Sequence, residues 1–195
     1  MRPAARADDV ARLTALVRAA PWFMEALRAG RELGLAHWCI GAGALRNLVW
    51  DALHGHEQRS ALADVDFAFF CTDDLSTARD AALQRRLGER CPGLPWEVTN
   101  QAGVHGWFEA HFGHAVEPLR SLEEAVASWP ELATAVGVWL DAQDALHVIA
   151  PHGLQDLLGL RVRRNPVRVS IETYRERCAT KRYAERWPGV VVEPA

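Results

Sequence analysis

The sequence predicts an α/β fold of the α+β kind, a mixed sheet flanked by helices, and three observations carry that prediction. A short apolar run, Trp38 to Gly41, enters a glycine turn and is followed by a helix-period segment. After a polar loop, a second apolar run opens on two aspartates separated by one residue, Asp64 and Asp66. Further on, T-A-V-G-V-W-L, D-A-Q-D and L-H-V-I-A-P read as a hairpin that extends the sheet. With 195 residues and 49% hydrophobic content, the chain can bury one full core. A single domain over 1–195 is therefore expected. It divides into N-terminal helices (1–36), a core (37–100) and a helical and hairpin extension (101–195).

In chain order, Asp8 or Asp9 can cap a first helix carrying Val10, Leu13, Leu16 and Val17 at helical spacing. Pro21 suits the first turn of a second helix ending near Gly34. Strand Trp38–Gly41 then leads into a helix from Gly43 to Leu53. The polar loop H-G-H-E-Q-R-S follows, of the kind that often lines a pocket in α/β enzymes. Beyond the aspartate strand a surface helix is expected to start at Thr72 or Asp73 and stop at Gly88. P-W-E-V-T-N reads as a short strand with Glu97 on the face opposite Trp96 and Val98. The segment from Asn100 to Phe112 reads as a helix weakened by glycine. Ser121 and Glu124 form a capping box for a short helix closing at Trp129-Pro130. Pro151 leads into a short helix holding Asp156, an acid that stands either behind the site or in solvent. A last helix is expected from Ser170 to Trp187.

Composition excludes several classes of function. A net charge of −3 and a pI near 6.2 supply no global field for nucleic acid, so a long polynucleotide is not an expected partner. The local basic run Arg161, Arg163, Arg164 and Arg168 reads as a solvated face, with a pyrophosphate or acidic acceptor as its functional alternative. Cys39, Cys71, Cys91 and Cys178 have no C-x-x-C spacing and fit reduced thiols in a cytoplasmic protein. The N-terminal stretch has no apolar core of signal-peptide length, and no run of eighteen apolar residues occurs. His105, His111 and His114 lack the H-E-x-x-H spacing and a nearby cysteine, so zinc is not expected.

The chemistry points to Asp64 and Asp66. Residues two apart on a strand share a face, so both carboxylates are presented together while Val65 and Phe67 turn inward. Like charges held that close call for a cation, and paired hard oxygens suit Mg²⁺ that also holds substrate phosphates. The turn before them, with its free backbone N–H groups at a helix start, suits an anion. Arg46, in the first turn of that helix, either reaches a triphosphate or forms a structural ion pair.

Together, I-G-A-G-x-L-R-N and the paired aspartates resemble the nucleotidyltransferase superfamily that includes DNA polymerase β and the tRNA CCA-adding enzymes. The G-G-x-V-R-D pattern of the CCA-adding type falls on Ala42-Gly43-Ala44-Leu45-Arg46-Asn47, with Ala42 replacing its first glycine and Asn47 its aspartate. With N-Q-A near residue 100, W-P-E-L-A-T-A-V-G-V and A-P-H-G-L-Q-D-L-L, the whole chain is similar to a family of small stand-alone bacterial nucleotidyltransferases. The resemblance implies a polymerase β-type fold with 37–100 as its catalytic core. It implies Asp64, Asp66 and Glu97 as catalytic and metal-binding residues for two Mg²⁺ ions, with Mn²⁺ as a substitute. It further implies that Gly41, Gly43, Arg46 and Asn47 bind an NTP. A chain this size has little protein to grip tRNA, so a small molecule or a protein side chain is the expected acceptor. The rival readings are a regulatory or antitoxin-type module that binds NTP and Mg²⁺ without turnover, and a purely structural domain.

Overall fold

The computed structural model describes residues 6–195, so the N-terminal reading rests in part on residues 1–5, outside the described residues. Strand β1 (Trp38–Gly41) is the middle of a five-stranded sheet ordered β3-β2-β1-β4-β5. Its antiparallel neighbours are β2 (Val65–Phe69) and β4 (Gly137–Leu140), and β4 closes the expected hairpin with β5 (Leu146–Ile149). Strand β3 (Trp96–Asn100) pairs with β2 in parallel, which makes the sheet mixed. A parallel pair needs a crossover, and helix α4 (Thr77–Arg90) supplies it.

Helices α2 (Pro21–Arg31) and α3 (Ala42–Leu53) join α4 in covering one sheet face, and α1 (Ala7–Arg18) packs on α2 and α3. There Trp38, Ile40, Val65, Phe67 and Phe69 are buried, and the Trp38 and Phe67 rings stack at 5.3 Å. A 3₁₀ turn (Gln101–Gly103) and α5 (His105–Phe112) follow β3, and α6 (Leu122–Ala127) crosses the other face. Leu122 and Val126 of α6 pack there with Cys39 and Ala68. The open remainder of that face presents Asp66. The extension continues through α7 (Gln155–Leu158), β6 (Arg161–Val162), α8 (Ile171–Lys181), α9 (Tyr183–Arg186) and β7 (Val191–Val192). No helix among the described residues is long and apolar enough to cross a membrane.

Five local expectations are corrected. Helix α1 begins at Ala7 with no side-chain cap, and Asp8 and Asp9 lie in its first turn, where their charge suits the helix dipole. Helix α3 begins one residue earlier than expected, at Ala42. Helix α4 starts five residues later than Thr72, capped by Ser76, whose Oγ accepts from the Arg79 N–H at 3.3 Å. Asn100 prevents the earlier start: its amide donates to the Cys71 and Asp74 carbonyls at 2.7 and 3.1 Å, fixing that stretch as a loop. Gly88 lies inside α4, which runs on to Arg90 because Leu83 and Leu87 are buried, and packing overrides the propensity penalty of about 1 kcal/mol. The single last helix is two, broken at Arg182, whose φ of 50° is left-handed. That break turns Tyr183 and Trp187 into the core, where both are fully buried.

The loop after α3 does not reach the open sheet face. Asp51 ties it back, accepting from the Ser60 N–H and hydroxyl at 2.8 and 2.5 Å and facing His56 at 3.0 Å. The same carboxylate accepts from the Trp187 indole at 2.8 Å, so it also anchors the C-terminal segment. The capping box on α6 is half as expected. Ser121 accepts from the Glu124 N–H, but the Glu124 carboxylate reaches the Arg120 N–H.

Candidate active site

The open part of the sheet forms a cavity of about 310 Å³, and Asp64, Asp66 and Glu97 line it together. Asp64 immediately precedes β2, so Asp66 two residues on shares its face, while Val65 and Phe67 are fully buried behind them. In-register parallel pairing sets Asp66 beside Glu97, and Val65 beside Trp96. Two strands thus bring the three acids to one wall. Burial, then the charges of Asp64 and Glu97, push the Asp66 carboxyl up to about 7, while Lys181 and the Gly43 backbone amide pull the other way. A site that resists gathering negative charge on its own side chains is suited to a cation. Among the described residues no group of three or more His, Cys, Asp or Glu side chains is gathered closely enough to hold a metal ion as it stands, so the three acids share a wall without forming a ready-made metal cage.

Beside the acids stands the start of α3. Gly43 lines the cavity, and a Cβ there would lie 3.8 Å from Asp64 Oδ1 and 3.9 Å from Arg46 Nη2. A side chain at 43 would enter the space between acid and guanidinium. Gly41 does not line the cavity. A Cβ there would sit 2.4 Å from the Val136 carbonyl oxygen and 2.8 Å from the Trp129 ring, so the glycine is required by the β1–β4 contact. Gly41→Ala is expected to destabilise the fold by about 2–3 kcal/mol, read by denaturant unfolding. Ala42, in place of the family's first glycine, keeps a left-handed φ of 48°. Ala42→Gly is accordingly expected to stabilise the protein by about 0.5–1 kcal/mol in the same assay.

Arg46 forms no ion pair with any acid among the described residues. Its guanidinium carbon lies 5.0 Å from the Tyr183 ring centroid and 5.5 Å from those of Trp50 and Trp187. It lines the cavity, donates from Nη2 to Asn47 Oδ1 at 2.7 Å, and its buried Nε has no partner. Asn47 lies off the cavity, donating from its amide to the Ala61 carbonyl at 3.4 Å, and so orients Arg46 from behind.

Sequence reasoning missed the contribution of the C-terminal segment. Arg177 and Lys181, four residues apart on α8, both line the cavity, as do Trp129, Pro130 and Thr134 after α6. The spacing of the two cations on one helix face was visible, but their meeting with residues about a hundred positions away was not. Behind them Glu131, 1% exposed, accepts from Arg177 Nε at 2.7 Å, Thr134 Oγ1 at 2.9 Å and the Tyr183 hydroxyl at 3.2 Å. Asp156 is neither in solvent nor at the cavity: it is buried and receives the Arg163 guanidinium at 2.9–3.0 Å.

The comparisons with known proteins agree with this architecture. A family model described as Nucleotidyltransferase matches residues 28–192. A solution structure described as revealing a CCA-adding enzyme head domain is 28% identical, with a TM-score of 0.80 over 95% of this chain and 96% of that one. A tRNA-processing enzyme in its apo form is 16% identical with a TM-score of 0.51, a likeness of fold alone. The chain covers 99% of its own length there but only 46% of that enzyme. No curated protein matches the chain. The five-stranded mixed sheet is that of the CCA-adding enzyme head domain, and the expected polymerase β-type architecture is the one found. With the family model spanning most of its length, the chain belongs to the nucleotidyltransferase family.

Proposed function

We propose that the chain transfers a nucleoside monophosphate from an NTP to a small-molecule or protein acceptor, and that it depends on Mg²⁺, which Mn²⁺ could replace. The observation that carries this reading is the gathering of Asp64, Asp66 and Glu97 in one cavity with Gly43 and Arg46. The three acids would hold the metal. When bound, divalent ions would lower the pKa of the acceptor hydroxyl and offset charge on the reacting phosphates. The acceptor oxygen bonds to the α-phosphorus, the bond to the bridging oxygen breaks, and pyrophosphate leaves. Gly43 leaves room for phosphate beside Asp64, and Arg46, which lines the cavity, donates from its guanidinium to a phosphate oxygen. The aromatic rings around Arg46 hold it in place and keep water from competing for it.

Surface charge supports this acceptor class. Arg161 pairs with Glu193, Arg163 with Asp156, and Arg164 and Arg168 donate to the Val169 and Glu117 carbonyls at 2.6 and 2.5 Å. The basic run is thereby engaged within the fold and offers little to a polynucleotide. A gel shift against total tRNA at about 0.15 M salt is expected to show no tight complex, and a tight complex would return tRNA to first place. The free thiols Cys39, Cys71, Cys91 and Cys178 suit a reducing cytoplasmic setting.

The reaction is tested by incubating the protein with Mg²⁺ and each labelled NTP, with and without cell extract as a source of acceptor. Pyrophosphate release with transfer of label is the expected result. Binding without release in every combination would favour a regulatory module that keeps the nucleotide as a ligand.

A further inference from the structure

We propose that the α8–α9 segment builds the subsite for the β- and γ-phosphates, with Lys181 as the group that contacts them. This inference rests on the nucleotidyl-transfer reading and adds residues that the glycine-turn motif does not contain.

The cavity keeps its charges apart. Asp64, Asp66 and Glu97 line it together with Arg46, Arg177 and Lys181, yet among the described residues no ion pair joins the two sets. Of the neighbours of Lys181, Arg177 pairs with Glu131 at 2.7 Å, and Arg182 with Glu185. Lys181 has no acid within ion-pair distance among the described residues, yet it lines the same cavity as Asp64, Asp66 and Glu97. A ligand that satisfies both sets must carry positive charge on one side and negative charge on the other. A divalent cation with a di- or triphosphate has that distribution, and a nucleoside monophosphate has much less of it.

One backbone feature assembles the cationic side. Lys181 is the last residue of α8, one turn beyond Arg177, so the two project on the same helix face. The left-handed Arg182 then ends the helix and swings Tyr183 and Trp187 onto Arg46. Helix α8 thus carries Lys181 to the cavity, and the break beyond it seats Arg46, whose buried Nε has no partner, at the same cavity. Glu131 occupies only part of the Arg177 guanidinium, whose remaining N–H donors are free for a phosphate.

The test is calorimetric titration of inorganic pyrophosphate with MgCl₂, and separately of each nucleoside monophosphate with MgCl₂, into wild type, Lys181→Met and Lys181→Arg. Lys181→Met is expected to weaken pyrophosphate binding about tenfold, the worth of one charge-assisted contact, and to leave monophosphate binding unchanged. Lys181→Arg is expected to restore most of the loss. Three results would overturn the inference: no pyrophosphate binding by wild type, equal binding by wild type and Lys181→Met, or parallel loss of pyrophosphate and monophosphates. The two readings separate cleanly. Lys181-dependent pyrophosphate binding in a protein that releases none from any NTP would sink nucleotidyl transfer and keep the subsite. Active transfer with Lys181-independent pyrophosphate binding would do the reverse.

Discussion

Asp66→Asn is expected to lower nucleotidyl transfer by about 10³-fold or more, because in the proposed mechanism the Asp66 carboxylate would be a charged ligand of the metal. The same substitution is expected to make the metal-free protein more stable at pH 8. The Asp66 carboxyl is raised from 3.8 to about 7 in the folded chain, first by burial and then by Asp64 and Glu97. Between those two values the folded state holds more protons than the unfolded one, so stability falls as pH rises through that window. Above about pH 7 the penalty is fully present, and asparagine abolishes it. The expected gain is about 1–3 kcal/mol at pH 8, below the full linkage value because solvent in the cavity screens the group, and near zero at pH 4. Urea unfolding in EDTA at both pH values reads it. A variant that is less stable than wild type at pH 8 would mean that the three acids do not strain one another.

Glu131→Ala carries the second large effect, a destabilisation of about 3–5 kcal/mol, since removing one member of a buried charged network strands the others. The Arg177 guanidinium, the Thr134 hydroxyl and the Tyr183 hydroxyl all lose their acceptor. Burial alone would raise the Glu131 carboxyl, but the hydrogen bond and charge of Arg177, with Thr134 and the Arg46 charge, hold it below its ordinary value. A depressed carboxylate stabilises the fold above its unfolded pKa of about 4.3 and ceases to do so as pH falls through its lower folded value. Wild type should therefore lose this contribution in the acid range while Glu131→Ala has none to lose. Glu131→Gln, which keeps an acceptor without the charge, is expected to fall between the two. Equal thermal and acid stability of all three would remove Glu131 as the anchor of the C-terminal segment.

The core of the site was legible because it is local. The alternation Asp64-Val65-Asp66-Phe67 specifies a strand with acids on one face, and Gly41-Ala42-Gly43 marks the turn that faces it. Glu97 could be placed because one short apolar segment holds it between Trp96 and Val98. The cationic wall was not legible, because Arg177 and Lys181 alternate with acids along α8 and read as an ordinary solvated face. The break at Arg182 carries no glycine, so nothing in the local sequence announces the left-handed residue that directs Tyr183 and Trp187 inward. The late start of α4 was hidden for a similar reason: Asn100, more than twenty residues away, decides which of several polar residues becomes the cap. Gly41 drew attention as a phosphate contact, whereas its lack of a side chain serves the neighbouring strand.

Whether Asp64, Asp66 and Glu97 hold a metal ion that an NTP shares is read by calorimetry. Each NTP is titrated into wild type and Asp66→Asn, with Mg²⁺ and in EDTA. The account predicts that Mg²⁺ tightens binding of the preferred NTP by about 10–100-fold in wild type and by little in the variant. Equal affinity with and without Mg²⁺ in both proteins would contradict it.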